Sequence, residues 1–171
     1  MEKTAGNTLR YQAVPARTGR TVVGRLLPGT DLLEGIEAIC REHGIKYGYV
    51  DCAIGCFKKV AFVHAVPSAD TASGIAYTQP VTLAGVLEFF GGSGVICQTD
   101  SGEYNIHLHG SFCDEHAQVR GGHFLAGGNI VVTTLDFVIS EIAGAKLLRR
   151  FDPETGFVQF SPEPGDGLLR P

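Results

Sequence analysis

Past residue 46 the apolar residues of this chain recur at every second position, and before it one stretch recurs at helical spacing. Those two periods restrict the chain to many short strands and one principal helix, because alternation puts one strand face into a core while a 3.6-residue period does the same for a helix. The helical stretch is residues 31–43. Leu32, Leu33, Ile36, Ile39 and Cys40 make one apolar face, Asp31 stands at the N-cap, Glu34 three residues on completes a capping box, and Gly44 stops the helix. Strands are predicted at 21–27, at 47–54 and 59–66 around a turn near Gly55, at 81–90, 95–98, 104–113, 119–125 and 130–142, and as a last hairpin over 146–151 and 156–160. Residues 67–75 read as a loop. Gly91-Gly92-Ser93-Gly94 reads as a turn or a bulge, since no Lys-Ser/Thr pair or helix follows to make a phosphate loop of it. The sum is an α+β domain, mainly antiparallel sheet with one principal helix packed against it. It spans residues 21–160, between a flexible N-terminal arm (1–20) and a loose Pro/Gly-rich C-terminal tail (161–171).

A chain of 171 residues, 44% hydrophobic and 19% charged, can bury one core. Its net charge of −4 argues against a whole-surface affinity for nucleic acid, which needs a basic face. Lys58-Lys59, Arg149-Arg150 and the pair Arg17 and Arg20 are the nearest approach to basic patches, and solvated strand edges account for such residues. No leader-like apolar run opens the sequence and none reaches membrane-spanning length. The cysteine count is odd: 40, 52, 56, 97 and 113. Free thiols in a cytoplasmic protein are therefore expected, with Cys52 and Cys56 as small core residues.

Chemistry gathers on histidine. His107 and His109 are two apart in an alternating run and so share a strand face, about 6.6 Å apart along the strand. The turn signals at 114–116 bring the chain back towards His123. If the turn centres on His116, His109 lies opposite His123; one residue earlier, His107 does. Both registers put all three imidazoles on one face, with the opposed pair about 5 Å apart at Cβ. Three neutral imidazoles suit a divalent ion, zinc foremost, with an open position for water or a small anion. Gly121-Gly122 would let a ligand or a neighbouring backbone come close. Glu88 and Asp136, isolated acids in apolar strands, are candidates to orient the ligands from behind. His43, His64 and His116 read as ordinary surface or turn residues.

The segments His107-Leu108-His109-Gly110-Ser111-Phe112-Cys113-Asp114, Val119-Arg120-Gly121-Gly122-His123-Phe124 and Gly127-Gly128-Asn129-Ile130-Val131-Val132-Thr133-Thr134 resemble the PPC (plants and prokaryotes conserved) domain. So do Arg25-Leu26-Leu27-Pro28-Gly29-Thr30-Asp31-Leu32 with the helix after it, and Ala53-Ile54-Gly55; the likeness covers about residues 20–160. The resemblance implies a compact antiparallel sheet with a helix against it, a homotrimer, and metal ligation at His107, His109 and His123, as in prokaryotic members. Glu88 falls near the family's strand acid, although Leu87-Glu88-Phe89-Phe90-Gly91-Gly92 departs from the usual wording. Plant members read DNA with an AT-hook, an Arg-Gly-Arg-Pro core whose arginines enter the minor groove. Arg17-Thr18-Gly19-Arg20 lacks that core.

The first functional expectation is thus a metal-binding homotrimer of DNA-binding or regulatory role without an AT-hook, whose metal takes a small anionic ligand or stabilises the assembly. The alternative is a zinc-dependent enzyme acting on a small anionic substrate through a metal-bound water, with Glu88, Asp136, Asp114 or Glu115 as general base. A purely structural zinc is disfavoured because such ions normally take four protein ligands. A cupin is disfavoured by the distance of Glu115 from His109, by the early return of His123 and by the helix at 31–43.

Overall fold

The computed structural model describes residues 9–165; most of the tail and the first eight residues of the arm lie outside them. The element order is β1 (Arg17–Leu26), α1 (Leu32–His43), β2 (Gly48–Val63), β3 (Ala65–Pro67), β4 (Ile75–Tyr77), β5 (Val81–Gln98), β6 (Tyr104–Cys113), β7 (Val119–Phe124), β8 (Ile130–Ala143), β9 (Ala145–Asp152) and β10 (Phe157–Pro164). The large sheet has the order β1-β8-β2-β7-β6-β5-β9-β10, and β2 also pairs with β5. Its pairs are antiparallel apart from a single parallel step, Gln98 beside Leu148. The α+β expectation holds, with α1 the one helix among the described residues. None is long and apolar enough to cross a membrane. β1 begins at Arg17 and β10 reaches Pro164, so regular structure extends into both stretches read as arm and tail.

α1 starts where Asp31 accepts hydrogen bonds from the amides of Leu33 and Glu34. Its other carboxylate oxygen accepts from the Asn129 amide at 2.7 Å, tying the helix start to the approach of β8. One half of the capping box is thus formed, Asp31 accepting from the Glu34 amide, while among the described residues no return bond runs from the Asp31 amide to the Glu34 carboxylate. Gly44 closes the helix in the left-handed conformation. Leu32, Leu33, Ile36 and Cys40 are buried against the sheet.

The interior is aromatic. Phe57 lies 4.9 Å from Phe89, ring centre to ring centre, and Phe124 lies 5.5 Å from Phe89. Phe112 packs edge-on against Phe62. These side chains come from β2, β5, β6 and β7, which close on themselves: β2 pairs with β5, β5 with β6, β6 with β7, and β7 returns to β2 through Phe62–Phe124 and Val63–His123. Closure gives each of these strands a buried face and an outer face.

Two predicted breaks are continuous strand. β2 runs unbroken through Gly55, where β2 and β8 approach so closely that a Cβ would meet the Thr134 carbonyl oxygen at 2.2 Å. β5 likewise runs through Gly91–Gly94, with a register shift between Phe89 and Gly91, which is the bulge of the two readings offered. Register shifts on β2 also move Cys52 and Cys56 to half-exposed positions, while Ala53 and Phe57 take the buried ones. All five cysteines are free, and burial pushes Cys40 and Cys97 up to about 12. The loop expected at 67–75 is the connection of a small hairpin, β3–β4, which ends at Tyr77.

Candidate metal centre

β6 buries Leu108 and Phe112, so pleating directs His107 and His109 to the outer face. β7 buries Phe124, so His123 faces the same way. The register places His109 opposite His123, the pairing for a turn centred on His116. That turn is held by Asp114, whose Oδ1 accepts from the amides of His116 and Gln118, and the two bonds hold its carboxyl below the usual range.

Glycine sets how tightly these strands lie. A Cβ on Gly94 would stand 2.2 Å from the His107 carbonyl oxygen, and one on Gly121 2.3 Å from that of Gly110. Gly121-Gly122 therefore admits a neighbouring backbone, the second of the two alternatives given by the sequence.

The result is a compact set of nitrogens. His107 Nε2 lies 2.9 Å from His109 Nε2, which lies 3.3 Å from His123 Nδ1, and the ligand atoms all fall within 4.8 Å of one another. Tetrahedral zinc at its usual distance to imidazole spaces its nitrogens about 3.3 Å apart. The geometry and the donor set therefore fit such an ion. Burial, then Arg149, then the neighbouring imidazoles push His107 down to about 4; burial, His109 and Arg149 do the same to His123. His109 is lowered too, by burial and Arg149. All three rings are thus neutral at pH 7, the form that binds metal.

The expected orienting acids stand elsewhere. Glu88 pairs with Cys113, four residues along β6 from His109 and so roughly 13 Å away by strand rise. Asp136 lies on β8 between Arg25 of β1 and Ile54 of β2, and accepts from the Thr134 hydroxyl. Asp114 and Glu115 belong to the turn. Among the described residues no carboxylate joins the three-histidine group.

Two residues that the sequence does not assign to the site border it. Arg149, on β9, donates from Nη1 to His107 Nδ1 at 3.2 Å, and its Nε is buried with no hydrogen-bond partner among the described residues. Tyr77, at the end of the β3–β4 hairpin, has its ring 6.2 Å from that of His123 and edge-on to Phe157. As a doublet in sequence, Arg149-Arg150 looks like a solvated pair. Adjacent strand residues face opposite ways, and Arg150 instead engages Asp100 and Glu163. A shallow cleft of about 580 Å³, lined by Asp51, Ile54, Phe90 and Ser93 among others, opens beside His109.

Comparison with known proteins bears on this arrangement. The model of the Plants and Prokaryotes Conserved (PCC) domain matches residues 14–143. A metal-containing protein from Archaeoglobus fulgidus superposes with a TM-score of 0.74 at 23% identity, covering 88% of this chain and 99% of that one. The plant- and prokaryote-conserved protein of Pyrococcus horikoshii gives 0.72 at 23% identity, covering 87% and 97%. A candidate DNA-binding protein from Bacteroides thetaiotaomicron gives 0.68 at 19%, covering 85% and 96%. In sequence, the bifunctional protein GlmU of a Synechococcus strain is 29% identical over 150 residues, which are 88% of this chain and 22% of that protein. The chain thus spans about a fifth of the curated relatives it matches.

Proposed function

The chain belongs to the Plants and Prokaryotes Conserved domain family, and from that premise we propose that it is a cytoplasmic, homotrimeric metal-binding protein in which His107, His109 and His123 hold a divalent ion, zinc before others, with one position left for water or a small anion. The convergence of three neutral imidazole nitrogens on one outer face carries this reading. Imidazole serves zinc, copper, iron and nickel alike, and a three-nitrogen tetrahedral site with an open fourth position is a zinc arrangement. The metal-containing Archaeoglobus protein of the same fold is consistent with it.

The regulatory or DNA-binding role is the weaker part. Arg10, Arg20, Arg41, Arg120 and Arg150 each engage a carboxylate, while Arg17, Arg25, Lys46, Lys58, Lys59 and Lys146 make none of the ion pairs of the described residues; the net charge of −4 and the missing AT-hook core, and not a lack of free cations, stand against phosphate binding. For the zinc-enzyme reading, none of Glu88, Asp136, Asp114 and Glu115 joins the three-histidine group, so its general base would have to come from another residue.

Elemental analysis of protein purified without a polyhistidine tag tests the site. About one zinc or other transition metal per chain is expected, and Asn or Ala in place of His109 should reduce it to background. Metal at trace level in the native protein would overturn the reading.

A further inference from the structure

A histidine that binds metal through one ring nitrogen usually donates its other N–H to a carboxylate, a carbonyl or water. The group found at the outer nitrogen of His107 is of the opposite kind. A guanidinium has donors only, so the 3.2 Å contact from Arg149 Nη1 makes His107 Nδ1 an acceptor and leaves the ring proton on Nε2. There it serves the 2.9 Å contact to His109 Nε2. This arrangement is satisfied as it stands, and it is incompatible with a metal on His107 Nε2. Metal ligation needs the Nε2 lone pair, which moves the ring proton to Nδ1 and sets two donors face to face.

Among the described residues Arg149 pairs with no carboxylate. It lies on β9, its partners across β10 are Phe160 and its neighbours, and it makes none of the ion pairs of the described residues. Its Nε is already buried without a partner, an arrangement that costs free energy unless something supplies an acceptor. Half-buried positive charge beside a cationic metal is costlier still, and a negative ligand relieves both at once. Tyr77 borders the same group from the β3–β4 hairpin, its ring 6.2 Å from that of His123.

Building on the metal reading above, we propose that Arg149 is the anion-recognition residue of this site: once metal occupies the three histidines, its guanidinium leaves His107 and grips a small oxyanion, a carboxylate or a phosphate, whose other oxygen takes the open metal position. Metal and anion then bind cooperatively, because each removes a conflict the other would meet alone. The planar guanidinium of Arg149 presents several N–H donors in a fixed fork to the oxygen that the metal does not take, where an ammonium would offer only a point charge.

Cobalt(II) in place of the native metal makes this visible without any assay of activity, since its absorption bands report the ligands around it. The loaded protein is titrated with inorganic phosphate and, separately, with acetate while the bands are followed, and Arg149→Gln and Arg149→Lys are treated identically. The native protein should show a saturable change with at least one anion, and the responding anion identifies the group recognised. Arg149→Gln should keep full cobalt stoichiometry and native circular dichroism while its anion affinity falls about 10- to 100-fold, the loss expected when hydrogen bonds to a charged group are removed. Arg149→Lys, which retains charge but not the fork, should fall between the two and keeps the test valid if the Gln variant folds poorly. Unchanged anion affinity in both variants, or no response of the native protein to either anion, would overturn the proposal with the metal reading intact. Failure of the native protein to take up cobalt overturns the metal reading itself.

Discussion

At the scale of single residues, the site is made of groups that pay for closeness in proton affinity. His107 and His123 are held at about 4, against 6.5 for a free imidazole, chiefly by burial. The unfolded chain therefore takes up protons between those values that the folded, metal-free chain refuses, so folding stability is intact above pH 6.5 and drains away as pH falls towards 4. Thermal unfolding of metal-free protein between pH 7.5 and 4.5 should show a melting temperature that declines across that window. The double variant His107→Gln/His123→Gln should show a flatter profile over the same range; parallel profiles would mean that the two rings titrate normally. Arg149 contributes to the depression of each histidine, so its substitution with Gln should also raise the pH at which protons enter the site.

At the scale of elements, the centre depends on how closely β5, β6 and β7 can lie. Gly94 is the sharpest case. A Cβ there would lie 2.2 Å from the His107 carbonyl oxygen and 2.7 Å from the Leu108 Cα, both backbone atoms that cannot step aside. Gly94→Ala should therefore cost about 1–3 kcal/mol, the usual range for overpacking, and should weaken metal retention although it touches no ligand. Denaturant unfolding with a parallel metal analysis reads both effects; stability lost with metal affinity unchanged would show that β6 holds its histidines without help from β5. The N-terminus of α1 offers a control whose hydrogen bonds touch none of the three histidines. Asp31→Ala removes two helix-capping bonds and leaves the Asn129 amide without its acceptor, so it should destabilise by about 2–4 kcal/mol with full metal content in the folded fraction.

At the scale of the molecule, several apolar side chains remain on the surface. Ile54 and Phe90 lie side by side across β2 and β5, since their neighbours Gly55 and Phe89 are paired, and both line the cleft beside His109. Phe90 is 50% exposed and Val86 66%. Contiguous apolar surface of this sort marks a binding face, and the proposed homotrimer supplies an occupant. Light scattering should give three times the 18.2 kDa chain mass. Phe90→Asp should then give monomer with native secondary structure, because the side chain it replaces is not part of the core; a persistent trimer would place the interface elsewhere. If the trimer survives His109→Ala while Phe90→Asp dissolves it, assembly is independent of the metal.

Local rules made much of this legible. Alternation and one helical period gave the α+β class, Asp31 and Gly44 marked the ends of α1, and HxH with a returning histidine marked one face of a hairpin, because these depend only on the direction in which consecutive side chains point. Three things depended on contacts between segments distant in the chain. Gly55 and Gly91–Gly94 look like turn residues from their neighbours alone, and only the backbone pressed against them shows that they keep strands continuous. Glu88 and Asp136 are isolated acids in any reading of their own strands, and only the pairing of β5 with β6 and of β8 with β1 and β2 decides that both stand away from the histidines. Arg149 is one half of a basic doublet until β9 is laid beside β5, 42 residues from the imidazole it meets. The sequence by itself thus determined which residues could bind a metal, through the period-two geometry of a single strand. The tertiary structure decided what surrounds those residues, because charge and burial at a point are set by every segment that reaches it.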